Sequence, residues 1–225
     1  MGDYAEKTIV VDNFYSDPGR VRHMGLTDTF ANISATDYPG YSSRRSLTSH
    51  GLQKAIEDLV GAPLNVDNSR FTWGGFRFIT AESGKGSVIH ADVAVEWAGM
   101  VYLTPDLPPG NGTGFFRHLE TGLMGPPSDR VARSLGFADS SEFDDRLIRP
   151  VKADHGKWEM HDYVEAVYNR LILFRGDQCY HAPVGGAGSS AQTARLTHIF
   201  FFNTLPYPRL THARLQRGRK QEEGV

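Results

Sequence analysis

The sequence has 225 residues, of which 40% are hydrophobic and 22% charged, and its formal net charge is −2. These values are ordinary for a soluble globular protein with one domain. They argue against a nucleic-acid partner, since such proteins usually carry a basic surplus; the basic residues at 214–220 are expected to form a solvated tail.

Cysteine usage and apolar patterning bear on the compartment. The single cysteine, Cys179, cannot form an intrachain disulfide, which is typical of a reducing compartment. The N-terminus lacks the apolar segment of a secretion signal, and no apolar run approaches the roughly 20 residues that span a bilayer. We therefore expect a cytoplasmic protein that acts without a membrane partner, while its oligomeric state stays open.

The first part of the chain, about residues 1–65, is predicted to be a largely helical preface. Residues 7–11 are β-branched and apolar and predict a strand. Pro18 predicts a helix start, because proline suits the first helical position. A second helix is predicted from about Thr48 to Val60, closed by Gly61.

Short strand patterns dominate the rest of the chain, which we expect to form a single domain over residues 1–225. The predicted strands are 71–73, 76–80, 87–90, 93–103 (broken at Gly99), 114–116, 171–174 and 196–202. Short strands joined by turns indicate an antiparallel sandwich or barrel with flanking helices. Residues 118–170 are polar and loosely helical, and we expect an insertion or lid at the rim.

One candidate site segment contains His90 and Asp92. Residues two apart on a strand point to the same face, so both side chains are expected to enter one cavity. With a second imidazole they would form a two-histidine, one-carboxylate triad, which leaves one face of Fe(II) open.

A second segment supplies the missing parts. An apolar strand and a Gly-Asp turn precede His181, and a later strand carries Arg195 and Thr197 on one face. Burying an arginine in an apolar barrel is costly without a partner. A carboxylate ligand suits it, because the guanidinium can bind both oxygens, and Thr197 can add a hydroxyl contact.

These segments resemble the Fe(II)/2-oxoglutarate-dependent dioxygenases, whose pattern is His-x-Asp, a distal His and then an Arg or Lys on the last core strand. Here His181 follows His90 by 91 positions, and Arg195 follows by 14 more. Residues 100–104 and 112–116 are similar to strands of prolyl-hydroxylase-like members, and residues 9–18 to their preface.

The resemblance implies a mainly β fold with flanking helices and a double-stranded β-helix (jelly-roll, cupin-like) core. It implies Fe(II) held by His90, Asp92 and His181. It also implies 2-oxoglutarate held by Arg195, with Thr197 and Tyr102 as further partners. The expected reaction uses O2, decarboxylates 2-oxoglutarate to succinate and hydroxylates a small-molecule or amino-acid-derived substrate.

Several alternatives remain open at this stage. In related halogenases a small residue replaces the carboxylate, so Asp92 favours hydroxylation, although desaturation, epoxidation and ring formation use the same ligands. The distal ligand has rival candidates among the other histidines, namely His118, His155, His161 and His198. At the level of the whole protein, the rivals are a cupin-like binding protein without oxygenase activity and a zinc hydrolase using the same triad.

Overall fold

The computed structural model describes residues 8–33, 38–67 and 69–206; the rest of the expected preface (1–7 and 34–37) and the basic tail at 214–220 lie outside this part. The helices are α1 Pro18–Leu26, α2 His50–Val60, α3 Asp129–Ser134 and α4 Ser140–Phe143. The strands are β1 Thr8–Val11, β2 Phe30–Asn32, β3 Tyr41–Ser46, β4 Leu64–Asn65, β5 Trp73–Ile79, β6 Trp97–Tyr102, β7 Gly112–His118, β8 Trp158–Glu165, β9 Leu171–Arg175, β10 Tyr180–Val184 and β11 Arg195–Thr204.

The strands form two antiparallel sheets. The larger sheet has the order β1-β9-β6-β11-β5-β3-β2, with β4 attached to β11, and the smaller sheet has the order β10-β7-β8. Strand β11 lies between β5 and β6, so that Thr197 is opposite Arg77 on one side and Tyr102 on the other. Because residues paired across neighbouring strands share a face, these three side chains point to the same side of the sheet.

Each face of the larger sheet packs on a different layer. On one face, Leu196, Phe200 and Phe202 of β11 join a core cluster that includes Ile56 of α2. On the other face, Tyr102 and buried residues of β9 pack against Phe115 of the smaller sheet. The alternation along β11 therefore separates a helix-covered core from a space between the two sheets.

The two preface helices have clear sequence signals. In α1, Asp17 caps the N-terminus and Pro18 occupies the first helical position, as predicted. In α2, the Ser49 side chain accepts a hydrogen bond from the Leu52 amide, and Gly61 ends the helix in the left-handed conformation (φ 71°). The predicted start of the second helix, Thr48, lies two residues before the observed start of α2 at His50, and the predicted end at Val60 agrees with the structure.

The mainly β class with few helices is confirmed, but several predicted strands differ. Residues 87–90 do not form a strand; only His90 makes an isolated bridge. The strand predicted at 93–103 begins at Trp97, and Gly99 lies inside it opposite Leu173. A Cβ at position 99 would overlap the Leu173 side chain, so this glycine permits close packing rather than breaking the strand.

The region 118–170 combines helical and extended structure. It contains α3 and α4, in line with its polar, loosely helical pattern, and then β8, which pairs with β7 along the edge of the smaller sheet. Strands β2 and β3, which the sequence pattern did not predict, extend the larger sheet within the preface. Among the helices that the structure describes, none has the length and apolar character needed to cross a bilayer.

Candidate metal centre and its cavity

His90 and His181 are held side by side by their backbones. His90 donates its amide to the carbonyl of His181 (3.0 Å), and His181 donates to the carbonyl of His90 (2.8 Å). His181 belongs to β10, so the bridge fixes the His90 segment to the edge of the smaller sheet. The two imidazole ring centroids lie 4.6 Å apart.

Asp92 is positioned by the turn that precedes β10. Its amide donates to the carbonyl of Gly176 (2.8 Å), and its side chain lies against the same glycine. A Cβ at position 176 would overlap the carboxylate oxygen Oδ2 of Asp92. Gly176 is therefore required at this position because of the close approach of the carboxylate, not because of its φ angle.

The three side chains converge on one point. The Nε2 atom of His90 lies 3.8 Å from Oδ1 of Asp92, and Nε2 of His181 lies 3.7 Å from Oδ2. One possible ligand atom from each residue lies within 4.8 Å of the others. Two metal–ligand bonds of about 2.1 Å each span up to about 4.2 Å, so both nitrogen–oxygen separations fit a shared ion.

Each imidazole is oriented by a hydrogen bond through its other nitrogen. Nδ1 of His90 lies 3.1 Å from the carbonyl of Val88, and Nδ1 of His181 lies 3.1 Å from the carbonyl of Cys179. Because a carbonyl only accepts, Nδ1 is the donor in both rings, and Nε2 of the neutral ring carries the lone pair. This arrangement is typical of metal-binding histidines.

The carboxylate also fits a metal ion. Asp92 is only 6% exposed, and no donor in the described part of the chain hydrogen-bonds to its buried Oδ2. Oδ1 accepts a hydrogen bond from the Tyr38 hydroxyl (3.2 Å). A buried carboxylate oxygen without a donor is costly unless a cation or another donor balances it. His90, Asp92 and His181 therefore form a group that can hold one divalent ion.

A cavity of about 520 Å³, including its open mouth, leads from the two histidines into the space between the sheets. Its wall is mainly apolar and comes from both sheets. The lining side chains outside the metal group include Ile79, Ala98, Met100, Phe174, Ile199 and Phe201. A mainly apolar wall with a few polar groups is typical of small-molecule sites.

Arg195 enters the same cavity from β11. The residue is 3% exposed, and its Nη1 donates to the carbonyls of Gly112 (2.6 Å) and Val184 (3.0 Å). Its Nε is buried without a hydrogen-bond partner among the described residues. Burial lowers the pKa of this guanidinium, and the groups that oppose the shift are the hydroxyls of Tyr102 and Tyr163, not a carboxylate.

Thr197 and Tyr102, the two other residues expected to bind the co-substrate with Arg195, differ in whether they line the cavity. Thr197 lines the cavity, and its hydroxyl donates to the carbonyl of Arg77 (3.2 Å). Tyr102 is fully buried beside Arg195, with the guanidinium carbon 5.9 Å from its ring centre, and its hydroxyl pairs with that of Thr113 (2.8 Å). Tyr102 thus reaches the cavity only through Thr113, which lines the wall.

The rival histidines lie elsewhere. His198 faces the opposite side of β11 and stacks on Phe76, at a ring distance of 4.5 Å. His155 bonds to the carbonyl of Ser87, His118 to the Thr121 hydroxyl, and His161 is exposed. Within the described residues, the one possible metal-binding group is that of His90, Asp92 and His181.

Comparison of the sequence with protein families shows a match that covers most of the chain. Residues 1–202 match the model of a family described as being of unknown function, DUF6445. The chain belongs to this family. No curated protein matches the sequence. The matched residues include the whole metal group and the cavity wall, so this DUF6445 member carries its candidate site inside the family's shared region.

Two residues of the site in this DUF6445 member were not predicted from the sequence. Tyr38 bonds to Asp92, and its ring packs edge-on against His90 at 5.0 Å. Arg77 lines the cavity from β5, and its guanidinium carbon lies 4.8 Å from the centre of the Tyr38 ring. The signal for Arg77 was the same as for Arg195: a lone arginine within an apolar strand, between Phe76 and Phe78.

Proposed function

We propose that this protein is an oxygenase that depends on Fe(II) and 2-oxoglutarate. In the proposed reaction, 2-oxoglutarate and O2 are converted to succinate and CO2, and a C–H bond of a small-molecule or amino-acid-derived substrate becomes C–OH. One oxygen atom of O2 goes to succinate and the other to the product. The bound iron would supply the redox chemistry, and the protein would bind and orient the reactants.

The order of the strands supports a double-stranded β-helix core for this proposal. Strands β5, β6, β9 and β11 lie in the larger sheet, and the His90 bridge, β7, β8 and β10 lie in the smaller one. In chain order these eight segments alternate between the two sheets, except that β7 and β8, which follow one another, lie in the same sheet. The two groups of four have the orders β5-β11-β6-β9 and His90 bridge-β10-β7-β8. Two interleaved groups of four antiparallel segments are typical of jelly rolls, which supports this core for the proposal.

The donor set supports iron as the metal. Two imidazoles and one carboxylate on one side of an ion leave the opposite positions for co-substrate and O2. In our proposal, His90, Asp92 and His181 are these ligands, and the hydrogen bonds at their Nδ1 atoms and at the Asp92 carboxylate fix their orientation.

The observation that carries the proposal is the environment of Arg195. Arg195 is 3% exposed, its hydrogen bonds within the described residues go to neutral carbonyl oxygens, and it lines the same cavity as His90 and His181. A dicarboxylate bound to the metal at one end would bring its other carboxylate to Arg195. The second carboxylate would then be the partner of the buried guanidinium. A metal-binding protein without co-substrate, or a hydrolase, has no need of a buried arginine at this position.

The proposal is tested by anaerobic titration of the protein with Fe(II) and then 2-oxoglutarate. We expect a weak visible absorption band that requires both additions, and succinate formation when O2 is admitted. Asp92→Ala is expected to lose the band and the succinate. Arg195→Lys and Arg195→Ala are expected to need more 2-oxoglutarate, by about tenfold or more, because each removes the bidentate contact.

The matched control is Arg117→Ala, because Arg117 lies on β7 at the surface and pairs with the exposed Glu159. This variant is expected to behave like the wild type, and circular dichroism would show that each variant is folded. An unchanged 2-oxoglutarate requirement in both Arg195 variants would refute the role of Arg195. Hydrolytic activity with zinc, independent of O2 and 2-oxoglutarate, would favour a hydrolase. Metal binding without the absorption band and without succinate formation would favour a cupin-like binding protein.

A further inference from the structure

A second arginine in the cavity has no role in the proposal above. Arg77 lies on β5 directly opposite Thr197, so its side chain enters the space between the sheets beside that of Arg195. Within the described part of the chain, its guanidinium makes no hydrogen bond or ion pair, and its Nε is shielded from solvent. Its guanidinium carbon lies over the face of the Tyr38 ring, 4.8 Å from the ring centre.

The charges in the cavity do not balance without a further anion. Among the residues that the structure describes, the cavity wall carries the two arginines and no acidic residue, and Asp92 adds one carboxylate at the metal group. If a divalent metal ion and the 2-oxoglutarate dianion bind, their charges cancel, and one positive charge remains. Enclosing an unbalanced charge in an apolar cavity is costly, so a further ligand with one negative charge is expected to bind there.

Arg77 and Arg195 line the same cavity but differ in exposure. Arg195 is 3% exposed, whereas Arg77 is only half-buried, so Arg77 is the more solvent-exposed of the two. Tyr38 connects Arg77 to the metal group, since its ring contacts the guanidinium and its hydroxyl donates to Asp92. An anion on Arg77 would thus bind beside the candidate metal ligands, near the reacting centre.

We propose that Arg77 binds the anionic group of the primary substrate, and that this substrate is a small monocarboxylate with an apolar body. The inference rests on the proposed oxygenase function and names its substrate class. The carboxylate is held by the guanidinium of Arg77, and the apolar body packs on side chains such as Met100, Ile199 and Phe201. Arg195 keeps the co-substrate.

The test measures binding without turnover. Wild-type protein loaded with Ni(II) and 2-oxoglutarate is titrated calorimetrically with hexanoate, phenylacetate and N-acetylleucine, each beside its neutral carboxamide. We expect at least one acid to bind about tenfold more tightly than its amide, because only the acid forms charge-assisted hydrogen bonds. Arg77→Gln is expected to lose this preference, and Arg77→Lys to keep part of it.

Two controls give the result its meaning. Arg117→Gln removes a surface arginine and is expected to keep the preference for acids. Binding of 2-oxoglutarate to Arg77→Gln is expected to stay within about threefold of wild type.

If 2-oxoglutarate binding falls instead, Arg77 belongs to the co-substrate site and the inference is wrong. Equal binding of acids and amides, or no binding of any acid at millimolar concentration, also refutes it. Failure of the wild type to bind 2-oxoglutarate would refute the oxygenase proposal itself.

Discussion

Gly176 determines how the carboxylate of Asp92 is presented. The glycine Cα lies so close to Oδ2 that any Cβ would displace the carboxylate, while the Gly176 carbonyl accepts the Asp92 amide. We therefore predict that Gly176→Ala folds but binds Fe(II) or Co(II) about tenfold more weakly or worse, the usual loss when the surroundings of a metal ligand are disturbed. Metal titration followed by absorption or calorimetry measures this change.

Gly86 provides the matched control for this substitution. It lies in a short 3-10 segment just before the His90 region, and a Cβ built there meets nothing within 4 Å. Gly86→Ala should leave metal affinity at the wild-type value. Wild-type affinity in Gly176→Ala would mean that the carboxylate can move away from the glycine, and that its present position is not needed for metal binding.

The candidate metal ligands and the arginine strand of the cavity could be identified from sequence because their signals are local. His90 and Asp92 are two residues apart, and Arg195 and Thr197 share one face of an apolar strand. The role of Tyr38 could not be predicted in this way. Tyr38 lies just before β3 and reaches Asp92 across 54 positions of sequence, and the sequence around it has no periodic pattern. Arg77 carried a usable signal, but its partner Thr197 is 120 positions away.

At the scale of elements, His90 and Asp92 converge for a reason other than the predicted one. A regular strand continuing from residue 87 through residue 92 would place them on one face by alternation. Instead, backbone bonds from His90 to His181 and from Asp92 to Gly176 hold a segment with little regular structure. Likewise β8 was not predicted, because most of its side chains are exposed on an edge strand, so its sequence lacks the apolar run of a buried strand.

Helix α2 of the preface packs into the core formed on one face of the larger sheet. Its Ile56 is fully buried in the cluster that contains Leu196 and Phe200 of β11. We predict that Ile56→Ala lowers the free energy of unfolding by about 3 kcal/mol, the usual cost of such a core cavity. Urea unfolding followed by circular dichroism and tryptophan fluorescence should show one coincident transition for the variant.

Leu119 offers a comparable substitution outside the core, since it is 55% exposed. Leu119→Ala is expected to change the free energy of unfolding by about 0.5 kcal/mol or less. If Ile56→Ala instead unfolded in two separate transitions, α2 would be an independent unit, and its packing on the larger sheet would contribute little to the stability of β11.

At the scale of the whole molecule, the two faces of the larger sheet differ in what they contact. One face is closed by α2 and other preface residues around an almost entirely apolar core, and the other lines the cavity with its buried charges. Residues of β11 alternate between the two faces, so residues of the apolar core and residues of the cavity wall are neighbours on one strand. His198 is a buried polar residue on the closed face, and we expect it to make the stability of that face sensitive to pH.

His198 lies between Tyr15, whose hydroxyl it contacts at Nδ1 (2.8 Å), and the carbonyls of Leu47 and Gly74, which lie 3.0 and 2.9 Å from Nε2. Burial lowers its pKa from 6.5 to about 4, against the opposing effect of the two carbonyls. Its pKa is thus lower in the folded than in the unfolded state. Above about pH 6.5 the ring is neutral in both states, and below it the unfolded chain binds a proton that the folded protein excludes. Stability contributed by the neutral ring is therefore lost as the pH falls from about 6.5 towards 4.

We predict that metal-free protein is less stable at about pH 5 than at about pH 7.5, with about 2 kcal/mol of the loss due to His198. Urea unfolding at both pH values, with chelator present, measures the difference. In His198→Gln that part of the difference should disappear, whatever the variant's absolute stability, because the titrating group is gone. The control is His50→Gln, on the exposed side of α2, which should keep most of the wild-type pH dependence. An equal loss in wild type and His198→Gln would show that the buried imidazole does not govern the acid stability, and that other groups titrating in this range do.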